Sequence, residues 1–323
     1  MLIEKEKISF VIPCYRSEKT IKSVIDEIDL IMKENVSRYD YEIVLINDCS
    51  PDNVWSIIIS IVEDRNDVKA ISFAKNFGQH SALMAGYRVA NGDIIITLDD
   101  DGQSPIDQTF LLIEKIHEGF DVVYAKYREV KQSLWRRIGS KINNKMSEVL
   151  IGKPKGIVGN SFYAMKNFIA KEMVRYKNSY PYIGGLVFRS TKLIANVEVE
   201  HRERLEGESG YTFVKLIKLW MNGFTAFSVA PLRFSSLVGV ICAICGFIFG
   251  IVTIIRKLCM PNISAGWSST VSILLFIGGL IMLMLGMIGE YIGRIYISIN
   301  NSPQYVIKET INIDEDDENE KSQ

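Results

Sequence analysis

The sequence predicts an α/β domain with a mostly parallel, doubly covered sheet, followed by a two-helix transmembrane hairpin. Three observations predict it. Apolar strand-like runs alternate with helical periodicity over the first 230 residues. Two long uncharged stretches then follow one another after residue 233. Finally, a mean hydropathy of +0.12 is high for a chain with 23% charged residues, so polar and apolar sequence must be segregated along it.

The strands come first. ISFVIPCY (8–15) is an apolar run, and a helix with apolar positions at Ile21, Val24, Ile25 and Ile28 follows it. YEIVLINDCS (41–50) is a second strand that runs into an Asp/Ser/Pro turn, and Asp52 favours the positive start of the next helix. KAISFAK (69–75) precedes a helix over 79–90, GDIIITLDDDGQ (92–103) is a fourth strand segment and DVVYAKY (121–127) a fifth. This alternation predicts a parallel sheet whose ligands bind beyond the carboxyl ends of its strands.

The apolar half is read by length. Residues 234–255 carry no charge, and that many helical residues reach roughly 33 Å, enough for a bilayer core of about 30 Å. A second span is predicted over about 269–292, after a turn containing Pro261, Gly266 and Trp267. Two buried helices of a soluble core fit such uncharged length poorly. The chain opens MLIEKEK with no signal peptide. Lys215, Lys218, Arg233, Arg294 and Lys308 flank the hairpin on the terminal side, against Arg256 and Lys257 in its loop. That bias places both termini in the cytoplasm and the hairpin in the inner (cell) membrane as a multi-pass anchor. The expected division is therefore 1–232 for the α/β domain, 233–300 for the membrane helices and 301–323 for an acidic disordered tail. Within the first part, residues 211–224 carry Phe213, Leu216, Ile217 and Trp220 with lysines between them. They read as an interfacial amphipathic helix or an ordinary packed one.

Net charge of −1 and a pI near 6.4 leave no global attraction for nucleic acid. Cysteines 14, 49, 242, 245 and 259 make no disulfide framework, and His80, His117 and His201 show no metal spacing. Glycines at 239, 246 and 250, and at 278, 279 and 286, allow close helix packing and leave a homo-oligomer open.

The sharpest chemical feature is Asp99-Asp100-Asp101-Gly102-Gln103 at the end of an apolar strand. Adjacent carboxylates repel unless something positive is bound, and Mg²⁺ or Mn²⁺ is held by one or two carboxylates plus substrate phosphate. Alternation puts Asp99 and Asp101 on one side and Asp100 on the other. The alternative is a solvated acidic turn. Asp48 also ends a strand. It either contacts a ligand as an ionised acceptor or belongs to a turn that caps the next helix.

The ordered set strand-PCY, strand-NDCSPD, AKNFGQHSALMAGY, GDIIITLDDDGQSP and GESGYTFVKL, then two apolar helices and GEYIGRIY, resembles the family-2 GT-A glycosyltransferases. Within these it is similar to the dolichol-phosphate and undecaprenyl-phosphate (bactoprenol) sugar transferases, over residues 8 to about 305. The resemblance implies a GT-A, Rossmann-like nucleotide-diphospho-sugar transferase fold. It implies an inverting enzyme that moves a sugar from a nucleoside-diphosphate sugar to a polyprenyl phosphate for cell-envelope glycans. Pro13, Tyr15, Asp48, Lys75, Asp100 and Arg137 are then expected at the nucleotide-sugar, with Asp99, Asp101 and Gln103 on the Mg²⁺ or Mn²⁺ ion. Arg204 joins Asp99 and Asp101 as catalytic, on the acceptor side, where a guanidinium fork suits phosphate.

Departures from the pattern bear on the acceptor. Arg16-Ser17 stands where the family usually has Asn-Glu, and Asn47-Asp48 where it often has two aspartates. In the segment GIVGNSF, where several relatives carry an Asp considered as a base, this chain has Asn160. An amide takes no proton at working pH, which suits an acceptor that is already a phosphate anion better than a sugar hydroxyl. A saccharide or other lipid acceptor, or a non-catalytic membrane scaffold, are the alternatives.

Overall fold

The computed structural model describes residues 5–128, 148, 152–200, 230–259, 266–300 and 302–313. The chain divides into two units, Met1–Leu216 with Asn301–Gln323, and Ile217–Asn300.

The first unit is built on the strands that the apolar runs predict: β1 (Glu6–Cys14), β2 (Tyr39–Asn47), β3 (Val68–Phe73), β4 (Ile94–Thr97) and β5 (Val122–Tyr127). Three more complete the sheet: β6 (Tyr163–Lys166), β7 (Ile194–Val199) and β8 (Ile307–Ile311). Their order is β7-β5-β6-β4-β1-β2-β3-β8. β1 pairs in parallel with both β2 and β4, β2 with β3, and β5 with β7, whereas β6 and β8 run antiparallel to their neighbours. Both faces are covered, so the central strands read as continuous apolar runs, with Phe10, Ile12, Ile43, Leu45 and Ile96 fully buried.

The helices lay apolar stripes on that sheet. α1 (Ile21–Glu34) buries Ile21, Val24, Ile25, Ile28, Ile31 and Met32, one face at helical spacing. α2 (Val54–Val62) buries Val54, Ile58 and Val62 in the same way. α3 (Gln79–Val89) packs closest, because a Cβ on Gly86 would stand 2.4 Å from Val11 Cγ1 and 2.8 Å from Ile46 Cδ1. Only glycine admits that approach. α4 (Thr109–His117), α5 (Asn167–Met173) and α6 (Ile183–Ser190) are further helices among the described residues of the unit.

The reading of 301–323 as a disordered tail is corrected for its first part. Residues 307–311 form β8 on the free edge of β3. Tyr305 stacks on Phe73 at 5.1 Å, Asn312 Nδ2 donates to the carbonyls of Arg65 (2.7 Å) and Val68 (2.9 Å), and Gln304 Nε2 donates to Asn178 O at 3.0 Å. The acidic run after residue 313 dominates the composition and hides the β-branched Val306, Ile307, Thr310 and Ile311 before it. Residues 314–323, the 211–224 segment and the 260–265 turn lie outside the described residues.

The second unit contains α7 (Ala230–Cys259) and α8 (Trp267–Ile299). They approach closely at Gly239, where a Cβ would stand 2.6 Å from Met284 Cε. Phe276–Gly293 in α8, with mean hydropathy 1.7, is long and apolar enough to cross a membrane, and none of it is buried. The apolar part of α7, Leu237–Phe249, is shorter.

Candidate active site

β1 stands between β2 and β4, so the chain leaves it in opposite directions and opens a crevice at the carboxyl ends of these strands. Each of the three contributes a loop, and the loops are tied to one another. After β1, the N–H of Arg16 donates to Ser50 Oγ at 2.7 Å and that of Glu18 to Asp52 Oδ2 at 2.9 Å. In return, Glu18 Oε2 accepts the N–H of Asn53 at 2.9 Å. Asp52 thus serves the start of α2, as its position in the sequence predicts, while also bridging to the neighbouring loop.

Asp48 at the end of β2 is only 3% exposed. Its Oδ1 accepts the N–H of Phe77 at 2.7 Å and its Oδ2 that of Gly78 at 2.8 Å, while its carbonyl accepts Asn76 Nδ2 at 3.1 Å. Gly78, at φ +89°, caps α3, so this carboxylate sits on the positive end of that helix. Burial pushes its pKa up, against the lowering effect of the two N–H donors. The Asp48 carboxylate thus holds the turn that opens α3.

The acidic run emerges after buried Leu98. Asp99 accepts hydrogen bonds from Gln79 Nε2 at 2.8 Å and from the Ser161 hydroxyl. Asp100 turns to β1, its Oδ2 accepting the N–H of Tyr15 at 2.9 Å and its carbonyl the Thr20 hydroxyl at 2.6 Å. Burial pushes the Asp100 carboxyl up to about 6, and the Asp99 charge acts in the same direction. Asp101 Oδ1 accepts the N–H of Gln103 at 3.1 Å across the turn that Gly102 makes at φ +73°. Asp99 and Asp101 share a neighbour. The Tyr127 phenol is raised chiefly by burial, a hydrogen bond from Asn160 opposes this, and the charges of both aspartates add to it.

Tyr15 is 43% exposed, with the Arg16 guanidinium 5.5 Å from its ring centre. Lys75 is exposed, its Nζ 4.9 Å from the Phe77 ring centre. Pro13 is buried in β1 opposite Ile46, near the strand end. Arg137 and Arg204 lie outside the described residues.

The chain matches Glycosyl transferase family 2 over residues 9–194 and the GtrB C-terminal hairpin over residues 230–295. It belongs to glycosyl transferase family 2. It is 33% identical over 320 residues to the undecaprenyl-phosphate 4-deoxy-4-formamido-L-arabinose transferase of Photorhabdus laumondii, covering 98% of each chain. It is 33% identical to the Proteus mirabilis enzyme of that name, covering 98% of this chain and 97% of the other. Among solved structures, glucosyl-3-phosphoglycerate synthase from Mycobacterium tuberculosis, in complex with Mn²⁺ and UDP-glucose, superposes with a TM-score of 0.51 at 18% identity. That match covers 68% of this chain and 77% of the other. The GT-A fold is therefore shared.

Beside Asp99 the glycosyltransferase has a cavity of about 340 Å³. Gln79 and Ser161, the two partners of Asp99, form part of its wall. Asn160 lines it with both amide atoms engaged: Nδ2 donates to Ala125 O at 3.1 Å and Oδ1 accepts the N–H of Ser161 at 2.7 Å. Deeper in, Tyr87 hydrogen bonds to Thr97 Oγ1 at 2.8 Å and to the Tyr163 hydroxyl, a buried polar network under β4. Gln79, Ser161 and these tyrosines carry no motif of their own. Their sequence signals are the position of Gln79 directly after Lys75-Asn76-Phe77-Gly78 and that of Ser161 after Asn160.

The donor set at Asp99, Asp101 and Gln103 consists of hard oxygens. Among the described residues no three His, Cys, Asp or Glu side chains converge as a ready metal cage. Two carboxylates separated by one residue at a strand end, with a cavity beside Asp99, fit a Mg²⁺-like ion, which usually completes its shell with substrate and water.

Proposed function

We propose that this glycosyltransferase moves a sugar from a nucleoside-diphosphate sugar to a polyprenyl phosphate, in one inverting step, for modification of a cell-envelope glycan. The observation that carries this is the acidic run at the end of β4, with Asp99 tied to two residues of the cavity wall and Asp100 turned away to the β1 loop. The two relatives named above, both undecaprenyl-phosphate transferases that match nearly end to end, support the acceptor. Their sugar, 4-deoxy-4-formamido-L-arabinose, is the first donor to test.

In the reaction, a phosphate oxygen of the lipid forms a bond to the anomeric carbon. The bond from that carbon to the diphosphate breaks, its electron pair leaving with the diphosphate. A divalent ion held by Asp99, Asp101 and Gln103 would neutralise charge on that leaving group. The chain's own residues do the remainder. Tyr15 and Lys75 present an aromatic face and a cation at the nucleotide side, and Asp100 and Asp48 hold the loops that carry them. No proton has to leave the acceptor, in keeping with an Asn160 whose amide is engaged with Ala125, Ser161 and Tyr127. Arg204 and Arg137 supply donors to phosphate. The α7–α8 hairpin anchors the enzyme in the inner membrane, with the α/β unit cytoplasmic. The apolar span of α8 and the match of residues 230–295 to a family hairpin support that anchor.

Asp101→Asn tests the chemistry. Sugar transfer to undecaprenyl phosphate is expected to fall by about 100-fold or more with an unchanged thermal midpoint. Full activity in that variant, or in chelator-treated buffer, would overturn the metal assignment.

A further inference from the structure

Residues 302–306 lie between α8 and β8 in the sequence and belong to the first unit. They are held on two sides. On one, the Ser179 hydroxyl donates to Ser302 O at 2.6 Å, and buried Gln304 donates from Nε2 to Tyr176 O at 3.3 Å and Asn178 O at 3.0 Å. On the other, the N–H of Ala74 donates to Val306 O at 2.9 Å, and the Tyr305 ring stacks on Phe73 at 5.1 Å with an interplanar angle of 9°. The Arg88 guanidinium of α3 stands 5.7 Å from the centre of the same Tyr305 ring. The β3–β8 ladder shifts register between Ser72 and Phe73, at the point where the segment enters β8. Irregularities of this kind re-aim the chain and are common beside functional loops.

Phe73 and Ala74 lead straight into the turn Lys75-Asn76-Phe77-Gly78. Asp48 holds the far half of that turn through the N–H groups of Phe77 and Gly78. The near half is held from Tyr305 and Val306. Phe73 passes the contact on, since its ring meets Phe77 edge to face at 5.7 Å, and the Lys75 ammonium lies 4.9 Å from the centre of the Phe77 ring. Lys75 thus sits between two anchors, one supplied by the end of β2 and one by the segment before β8. Ordering a long side chain on binding costs free energy. A cation whose backbone and ring support are fixed beforehand therefore binds an anion more tightly.

We propose that Tyr305 is a positioning residue for the nucleotide-sugar: with Val306 it fixes the turn that carries Lys75, and so sets donor affinity without bearing on the chemical step. The inference rests on the nucleotide-sugar reading of the crevice, in which Lys75 meets the nucleotide side. A stacked aromatic pair contributes enough to change an equilibrium by up to about tenfold, which bounds the effect of losing the Tyr305 ring.

The test uses the full-length protein in lipid nanodiscs with Mn²⁺. Binding is titrated with UDP, and kcat and KM are measured with UDP-4-deoxy-4-formamido-L-arabinose and undecaprenyl phosphate. Tyr305→Ala should weaken UDP binding and raise KM for the donor by about five- to tenfold, with kcat within about twofold of wild type. Tyr305→Phe, which keeps the stack, should behave as wild type. In a Lys75→Ala background, Tyr305→Ala should have little further effect on UDP, because the side chain it positions is gone. Asn312→Ala is the stability control. It loosens the other end of β8, where Nδ2 bonds the carbonyls of Arg65 and Val68, and should leave UDP affinity unchanged. If Tyr305→Ala fails to fold, Tyr305→Leu, which keeps apolar volume without a ring face, is judged by the same criteria. Wild-type UDP affinity in the Tyr305 variant, equal loss in Tyr305→Ala and Asn312→Ala, or full additivity with Lys75→Ala would each overturn the proposal. Absence of UDP binding by the wild type would overturn the nucleotide-sugar reading itself, and this inference with it.

Discussion

The two sides of the crevice are made differently. On the β1–β2 side the acidic side chains face inward: Asp48 holds the N–H groups of Phe77 and Gly78, Asp52 that of Glu18, and Asp100 that of Tyr15. On the β4–β6 side, polar side chains line a cavity, and one of them, His80, has a buried nitrogen with no protein partner. The first arrangement fixes backbone, so its carboxylates matter for stability before they matter for ligands. The second leaves hydrogen-bonding capacity for something that arrives. Carboxylates adjacent in one strand-end motif can therefore do opposite jobs, as Asp100 and Asp99 do.

The largest break in that contrast is Asp48→Ala. It removes two short charge-assisted hydrogen bonds and strands two N–H groups at the start of α3. The expected loss is about 2–4 kcal/mol. At roughly 2–4 °C per kcal/mol for a domain of this size, thermal unfolding should reveal it clearly. Asp48→Asn, which keeps one acceptor, should fall between. An Asp48→Ala protein with an unchanged midpoint and weakened nucleotide binding would instead restore the ligand role expected from the family resemblance.

How much of this was legible in the sequence depends on range. Strands β1 to β5 follow from local apolar runs, and the position of Asp99–Asp101 at a strand end follows from ITL before them. β6 has only four residues, and the polar Asn196 and Glu198 interrupt the apolar pattern of β7. The inward turn of Asp100 depends on Tyr15, 85 residues away, and the burial of Lys153 on helix α6 and the tyrosines around it. Periodicity reports which face a residue is on. It does not report which distant loop supplies its partner.

The second test is a pH profile. His80 is held neutral with a pKa near 4, whereas an unfolded histidine titrates near 6.5. Between these values the unfolded chain binds the extra proton. His80 thus adds stability that is complete above about pH 6.5 and is lost as pH falls toward 4. Its upper bound is about 3 kcal/mol. Asp100 works against this trend: its raised folded pKa, about 6, makes its own contribution grow as pH falls. Comparing wild type with His80→Gln at each pH separates the two. The difference in unfolding free energy should shrink on acidification, and a constant difference would place the ring in water, contrary to the cavity.

The smallest expected effect is at the far edge of the sheet, where β8 brings Glu309 to Trp55. The indole Nε1 donates to Glu309 Oε2 at 3.2 Å, an exposed contact. Glu309→Ala should cost less than about 1 kcal/mol. The strand's attachment rests mainly on its backbone ladder with β3, the Tyr305–Phe73 stack and the Asn312 bonds. Asn312→Ala removes both side-chain bonds to the carbonyls of Arg65 and Val68, and it should cost somewhat more than Glu309→Ala. Hydrogen exchange on β3 amides resolves effects of this size. Slow exchange in wild type and in Glu309→Ala, with faster exchange in Asn312→Ala, would mark β8 as an integral edge strand. Equal, fast exchange in all three would return residues 307–311 to the disordered tail that composition suggested.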